Sequence, residues 1–240
     1  MLLMNLHDKK LSAKNDRLIR LLSNLRHFES LSPNIVEQIA EIATCRHFRA
    51  GQVIYLEGDV ADKLYILEKG WIKATRISRE GREQAMLFLE AGEIFGDIAV
   101  FSETTYPGTV TALEDVDVWE IPAQEFLQLI QELPLLAMAI IRHLSDRVLH
   151  YIKLVEDLSL RDVEARLANT LLQHAELVNG SLLVRRRQWT TFDEMAVRLG
   201  TVRDVLSRVL KKLESEGLLK VEKESIQLLD PKGLAQRGKL

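Results

Sequence analysis

The stretch from Thr191 to Lys211 constrains the fold of this 240-residue chain more than any other, because it sets two short helical patterns on either side of a single glycine, Gly200. Met195, Ala196 and Leu199 give the first pattern an apolar face, with Ala196 small where two helices have to cross closely. Gly200 stands where the chain has to turn sharply, and glycine enters positive φ without steric cost. Leu206, Val209, Leu210 and Leu213 then recur at three- and four-residue spacing, which marks the buried side of a second helix. Thr191 with Glu194, and Thr201 with Asp204, both have capping-box spacing, so each helix has a start signal. The exposed side of the second helix is left with Arg203, Asp204, Ser207 and Arg208. Two helices around a glycine turn, the second with a forward row of charged and polar side chains, form the helix-turn-helix pattern of a DNA reader.

The charge balance agrees once it is divided along the chain. The whole carries 32 Lys+Arg against 35 Asp+Glu, a net charge of −3. From Leu160 onward there are 15 basic and 11 acidic residues, so the C-terminal part is positive and the rest negative. A basic module joined to an acidic one suits DNA contact confined to the C-terminal part. No apolar run is long enough for a membrane span, and Met1 to Asp8 is too short for a signal peptide, so a cytoplasmic protein is expected. The one cysteine, Cys45, excludes a disulfide framework and a cysteine-ligated iron–sulfur cluster within one chain. There is no nucleophile elbow, Walker loop, zinc spacing or paired-carboxylate motif, so an enzyme is not expected.

Ahead of the reader the character changes twice. A helical pattern runs from Leu25 to about Ala43, with Ser32-Pro33 as a start signal and Ile35, Val36, Ile39, Ala40 and Ile42 on its apolar side. Between Cys45 and Glu120, β-type runs follow at 53–56, 63–67, 71–77, 84–89, 109–112 and 116–121. Gly51, Gly58, Gly70, Gly81, Gly92 and Gly96 fall between or beside them, as the turns of a β-barrel or jelly roll require. Pro134 is placed to open a long helix on which Ile141, Leu144, Val148, Tyr151, Val155 and Leu158 form an a/d heptad seam, the mark of helix pairing into a homodimer. The alternative use of that seam is packing against the chain's own β-domain. Residues 161–174 suggest another helix and 182–184 a short strand; 217–221 with 225–229 suggest a β-hairpin wing. The expected class is α+β, divided into an N-terminal arm (1–24), a sensor β-domain with flanking helices (25–132), a long dimerisation helix (133–159) and a winged helix-turn-helix (160–240).

This order of parts resembles the Crp/Fnr family of bacterial transcription regulators over roughly Leu25 to Asp230. The segment 51–59 is similar to that family's entry into the barrel, 64–70 to its next hairpin, and 95–101 to the turn beside its effector pocket. Residues 199–208 resemble its recognition signature. The pocket region implied is Gly96, Asp97, Ile98, Ala99, Pro107, Gly108 and Thr109. Cyclic-nucleotide binders of this fold carry a glutamate on the turn for the ribose hydroxyl and an Arg-Ser or Arg-Thr pair for the cyclic phosphate. Here Asp97 stands at the glutamate position and Pro107-Gly108 at the pair. A desolvated phosphate wants a charge-assisted donor, and proline and glycine have no side-chain donor, so cyclic AMP is disfavoured. Arg76 and Arg82 are the arginines elsewhere in the barrel that could substitute. Haem-based sensing of nitric oxide or carbon monoxide is the alternative, with His7, His27, His47, His143, His150 and His174 as candidate axial ligands. A regulator with no small effector is another, and a cyclic-nucleotide-controlled regulatory subunit of an enzyme is the reading from a different class.

The resemblance implies double-stranded DNA with a near-palindromic operator as the partner, read by a dimer whose two recognition helices lie about one DNA turn apart. Arg203 and Arg208 are candidates for guanine O6 and N7, Asp204 for a cytosine amino group, and Ser207 for a base or a phosphate. A TGTGA-like half-site is implied by relatives with Arg, an acid and Arg at these positions. Thr191, Arg198, Thr201, Lys211 and Lys212 are the candidate phosphate contacts, with Arg185-Arg186-Arg187 a possible addition. The family pattern further implies an activator that contacts RNA polymerase.

Overall fold

The alternation of side chains along β-strands accounts for the architecture of the N-terminal unit. The computed structural model describes residues 15–77, 83–185 and 192–239. Six antiparallel pairings build two four-stranded sheets from β1 (Thr44–Phe48), β2 (Val53–Tyr55), β3 (Lys63–Lys69), β4 (Trp71–Ile77), β5 (Glu83–Glu90), β6 (Ile94–Phe95), β7 (Thr109–Ala112) and β8 (Val116–Pro122). Their orders are β1-β8-β3-β6 and β2-β7-β4-β5. This is a jelly-roll-like β-domain. In β3, Tyr65 and Leu67 point into one core, with Phe95, Tyr106, Val116 and Val118, while Leu64 and Ile66 point into another, with Trp119 and Ile121 of β8. A strand buried on both faces needs no polar alternation, which is why 63–67 reads as a continuous apolar run.

The second core is closed by helices. Leu18 and Leu22 of α1 (residues 15–24), Ile35, Val36 and Ile39 of α2 (Pro33–Ile42), and Phe126 of α4 (Ala123–Glu132) are all buried there. A short helix, α3 (Asp97–Phe101), lies between β6 and β7, and α5 (Pro134–Leu160) begins with Leu136, Ala139 and Ile140 in the same core. The expected arm at 1–24 is therefore corrected over its described part, since two fully buried leucines make 15–24 part of the domain. The expected helix from Leu25 is corrected as well. Residues 25–31 are turns, and the helix starts at Pro33 after Ser32, where proline's missing amide costs nothing. No single helix among the described residues is long and apolar enough to cross a membrane.

The chain divides between Arg147 and Val148 into two compact units. The C-terminal unit holds the end of α5, then α6 (Val163–Gln173), β9 (Glu176–Val178), β10 (Ser181–Arg185), α7 (Phe192–Arg198), α8 (Arg203–Ser215), β11 (Leu219–Val221), β12 (Ser225–Leu228) and α9 (Pro231–Arg237). The expected wing is present as the antiparallel pair β11–β12, extended through β10 to β9. Asn179 and Gly180, at φ +50° and +80°, make the two-residue turn joining β9 to β10. Asp230 caps α9 by accepting from the Gly233 amide at 2.9 Å, with Pro231 in the first turn.

Candidate functional site

Leu206, Leu210 and Leu213 fall at i, i+4 and i+7 of α8, and all three are buried with Leu167 and Leu171 of α6, Ala196, Leu199 and Ile226. Burying that stripe turns Arg203, Asp204, Arg208 and Lys211 outward, where they are exposed, with Ser207 half-exposed beside them. Four base-reading candidates and one phosphate candidate thus share one face. Arg208 stays close to its own helix, its Nε donating to the Asp204 carbonyl at 3.4 Å. Lys212 is engaged within the domain: its ammonium lies 2.6 Å from Glu164, which also takes Arg237 at 2.9 Å. That carboxylate raises the Lys212 pKa and competes with its expected phosphate role. Arg198 is exposed at the end of α7. Thr191, Arg186 and Arg187 lie outside the described residues; Arg185 lies 3.7 Å from Glu176.

The turn between α7 and α8 is held from two sides. Gly200 has φ +60°, and a Cβ there would come within 2.5 Å of the Leu158 side chain. Thr201 donates its amide to the Ala196 carbonyl at 2.9 Å, closing the end of α7. Arg166 of α6 then donates to the Leu199 carbonyl at 2.9 Å and to the Arg161 carbonyl at 2.6 Å. A guanidinium on the last carbonyls of a helix satisfies acceptors the helix cannot. With Thr201 drawn back onto α7, the recognition helix opens one residue later than its capping signature predicts. The N-cap is Val202, without a side-chain cap bond, so the expected Thr201–Asp204 box is corrected. The Thr191–Glu194 box falls outside the described residues.

Along α5, Ile141, Val148, Val155 and Leu158 of the expected seam are exposed, and so are Met138 and Ile152. Leu144 instead packs against the N-terminal core, which corrects its place on the seam; Tyr151 is half-buried. The open stripe therefore runs 138, 141, 145, 148, 152, 155, still at spacings of three and four, and between 136 and 144 the other side of the helix packs in the N-terminal core.

The pocket region of the β-domain holds its charge inside. Gly96, at φ +76°, leads into α3, and a Cβ there would crowd Tyr65, the Lys63 carbonyl and Tyr106 at 3.1–3.3 Å. This puts the Asp97 carboxylate in the interior, 2 % exposed, with Arg147 Nη1 of α5 at 2.8 Å from both its oxygens. His143, one turn earlier on α5, brings Nε2 to 3.8 Å from Asp97 and makes no hydrogen bond through that atom. Burial lowers its pKa, and nearby Asp97 opposes the shift. His143 is one of the histidines considered as haem ligands, whereas Arg147 has no sequence signal for this site, because nothing in a heptad pattern says which off-seam charge turns back to the sheet. Ala99 is buried and Ile98 exposed.

Tyr106, just before Pro107-Gly108, is 2 % exposed and stacks on Tyr55 with ring centroids 3.9 Å apart. Tyr65 and Phe95 stack behind them at 5.0 Å, and the Tyr106 hydroxyl donates to the Lys63 carbonyl at 2.6 Å. Burial raises the pKa of all three phenols. Pro107 is exposed and Gly108 buried, its Cα so close to the Thr75 carbonyl that a Cβ would sit at 2.8 Å. Thr109 Oγ1 accepts the Glu57 amide at 3.0 Å, and Arg76 pairs with Glu57 at 3.2 Å near the surface. Among the described residues, this interior carries the Tyr106 phenol, and Asp97 is paired with Arg147; Arg82 lies outside the described residues. Of the histidines, His27 pairs with Asp146, His47 with Asp117, and His174 bonds the Thr170 carbonyl. His7 and the His150 side chain lie outside what is described.

Comparison with known proteins agrees with both halves. Residues 45–133 match the cyclic nucleotide-binding domain family, and residues 165–237 the Crp-like helix-turn-helix domain family. The cyclic AMP receptor protein of Thermus thermophilus is 27% identical over 201 residues, covering 84% of this chain and 91% of that one. The global nitrogen regulator of Synechococcus elongatus is 26% identical over 200 residues, covering 79% and 87%. A solved Crp/Fnr-family transcriptional regulator from Thermus thermophilus superposes with a TM-score of 0.63 at 25% identity, covering 81% of this chain and 98% of that one. With a jelly-roll-like domain, a helix-turn-helix and these relatives together, the chain belongs to the Crp/Fnr family of DNA-binding transcription regulators.

Proposed function

We propose that this regulator acts as a homodimer that reads a near-palindromic operator and does so without a cyclic nucleotide. The observation that carries the second part is the filled interior: Tyr106 stacked on Tyr55, and Asp97 held by Arg147. A cyclic nucleotide entering there would have to displace a buried ring and compete for a buried ion pair, against positions 107 and 108 that offer its phosphate no side-chain donor. The exposed stripe of α5 supports pairing with a second copy, since apolar side chains at heptad spacing lose their hydration cost when a partner helix covers them. Arg203, Asp204, Ser207 and Arg208 are the base-reading set, with Arg198, Thr201 and Lys211 on phosphates. The family pattern favours activation through RNA polymerase, which in vitro transcription from an operator-bearing template tests.

Operator selection with the purified protein, followed by affinity measurement with and without cyclic AMP, tests the reading directly. The expected result is a two-fold-symmetric site whose affinity is unchanged by the nucleotide. A calorimetric binding isotherm for cyclic AMP, coupled to a rise in operator affinity, would overturn the effector part. An asymmetric site bound by one chain would overturn the dimer.

A further inference from the structure

The recognition helix starts on an apolar residue that the domain does not use. Val202, the N-cap of α8, has an extended backbone at φ −113° and ψ 156°, and its carbonyl accepts from the Val205 and Leu206 amides at 3.1 Å. Its side chain is 63 % exposed and stands apart from the apolar cluster that takes up Leu206, Val209 and Leu210. For the helix itself valine is a poor choice here, since Ser, Thr, Asp and Asn are the residues that cap. Thr201, one residue before, and Asp204, two residues after, are both able to cap and do not occupy the position. A single exposed valine is ordinary on a protein surface. This one adjoins Arg203 at the N-terminal tip of α8, the part of a recognition helix that meets base edges.

Among the groups lining the major groove, the thymine C5-methyl is the one that rewards an apolar side chain. We infer that Val202 reads a thymine methyl in each half-site, beside the base pair contacted by Arg203; this rests on α8 being the recognition helix. The side chain gives up a cap and stays in water in the free protein, and covering a methyl on DNA removes both apolar surfaces from solvent at once. The expected contribution is roughly four-fold in affinity per half-site, the value of one buried methyl.

The test uses the full chain and its selected operator, with each thymine replaced in turn by deoxyuridine, which deletes only the methyl. The wild type is expected to lose roughly four-fold per half-site at one thymine position, and Val202→Ser to bind the thymine and uracil forms equally there. Val202→Ile keeps the discrimination. A wild type indifferent to uracil at every position, or a serine variant with the wild-type ratio, overturns the inference while leaving α8 as the reader. A chain that selects no DNA at all overturns both, and is distinguished by the missing site. Serine is the better cap, so the melting temperature of Val202→Ser holds or rises. A fall would give Val202 a packing role and also overturn the inference.

Discussion

The turn at Asp97 and the start of α8 use the same residue types in opposite ways. Both place a carboxylate in the first turn of a helix that follows a glycine with positive φ, and both involve guanidiniums. At Asp97 the carboxylate points inward, and Arg147 is brought to it from another element, because a buried charge left without a counter-ion is too costly to keep. On α8, three leucines take the inward side, so Arg203, Asp204 and Arg208 are exposed on the outer side. Direction decides function here. Charge turned in fixes a conformation, and charge turned out can recognise something. The first region should therefore respond to mutation in stability and the second in binding.

The largest effect expected from that contrast is Asp97→Ala. Removing one partner strands Arg147 and should cost about 3–5 kcal/mol in denaturant unfolding of the N-terminal unit. Asp97→Ala with Arg147→Met should recover most of that loss, because neither charge is left alone. A single variant as stable as the wild type would mean that the carboxylate is not buried in solution. Arg203→Ala and Arg208→Ala come next. Each should weaken specific operator binding by about 1–3 kcal/mol, roughly ten- to hundred-fold. Their unfolding midpoints should stay at the wild-type value, since exposed substitutions seldom change stability. If either lowers stability as Asp97→Ala does, the distinction between the two regions fails.

How well each region could be read from the sequence follows the same division. On α8 the leucine spacing fixed which side was buried, and exposure of the arginines followed from it. Strands β4 and β7 were legible because each is β-type sequence that begins straight after a glycine, Gly70 and Gly108. The pairing of Asp97 with Arg147 could not be read, since it joins positions fifty residues apart by a tertiary contact with no local signature. Leu144 failed for a related reason. Its heptad spacing fits either a partner helix or the chain's own sheet, and only the fold chooses. The turn Asn179-Gly180 and the Asp230-Pro231 start of α9 do carry local signals, a hairpin turn pair and a capping residue before proline. The cap at Val202 is different again, because Thr201 just before it is the better capping residue and has Asp204 at capping-box spacing.

Gly200→Ala probes the hinge of the outward-facing region and should cost less. The left-handed φ of +60° penalises any Cβ by about 1–2 kcal/mol. The Leu158 methyl 2.5 Å from that Cβ adds a clash that a flexible side chain can relieve. Gly200→Ala combined with Leu158→Ala separates the two contributions. The double variant should recover the steric part in thermal unfolding of the C-terminal unit and keep the backbone part. Full recovery would mean that the turn relaxes away from positive φ.

The smallest effect is set by pH and belongs to the inward-facing region alone. Burial holds the His143 pKa below its usual 6.5, with Arg147 and His27 pushing in the same direction and Asp97 and Asp146 opposing. Above 6.5 this histidine is neutral in both folded and unfolded chains, and its titration adds nothing. As pH falls below 6.5, the unfolded chain takes up a proton that the folded chain resists, so folding stability falls with the pH. Glu93 works the other way, since burial raises its carboxyl pKa and acid favours its folded form. The informative quantity is therefore the difference between wild type and His143→Gln, measured as unfolding free energy of the N-terminal unit from about pH 7.5 to 5.5. The variant should lose less stability over that interval. Equal acid loss in both proteins would place the titrating group elsewhere and leave His143 solvated, against the packing of α5 on the Asp97 turn.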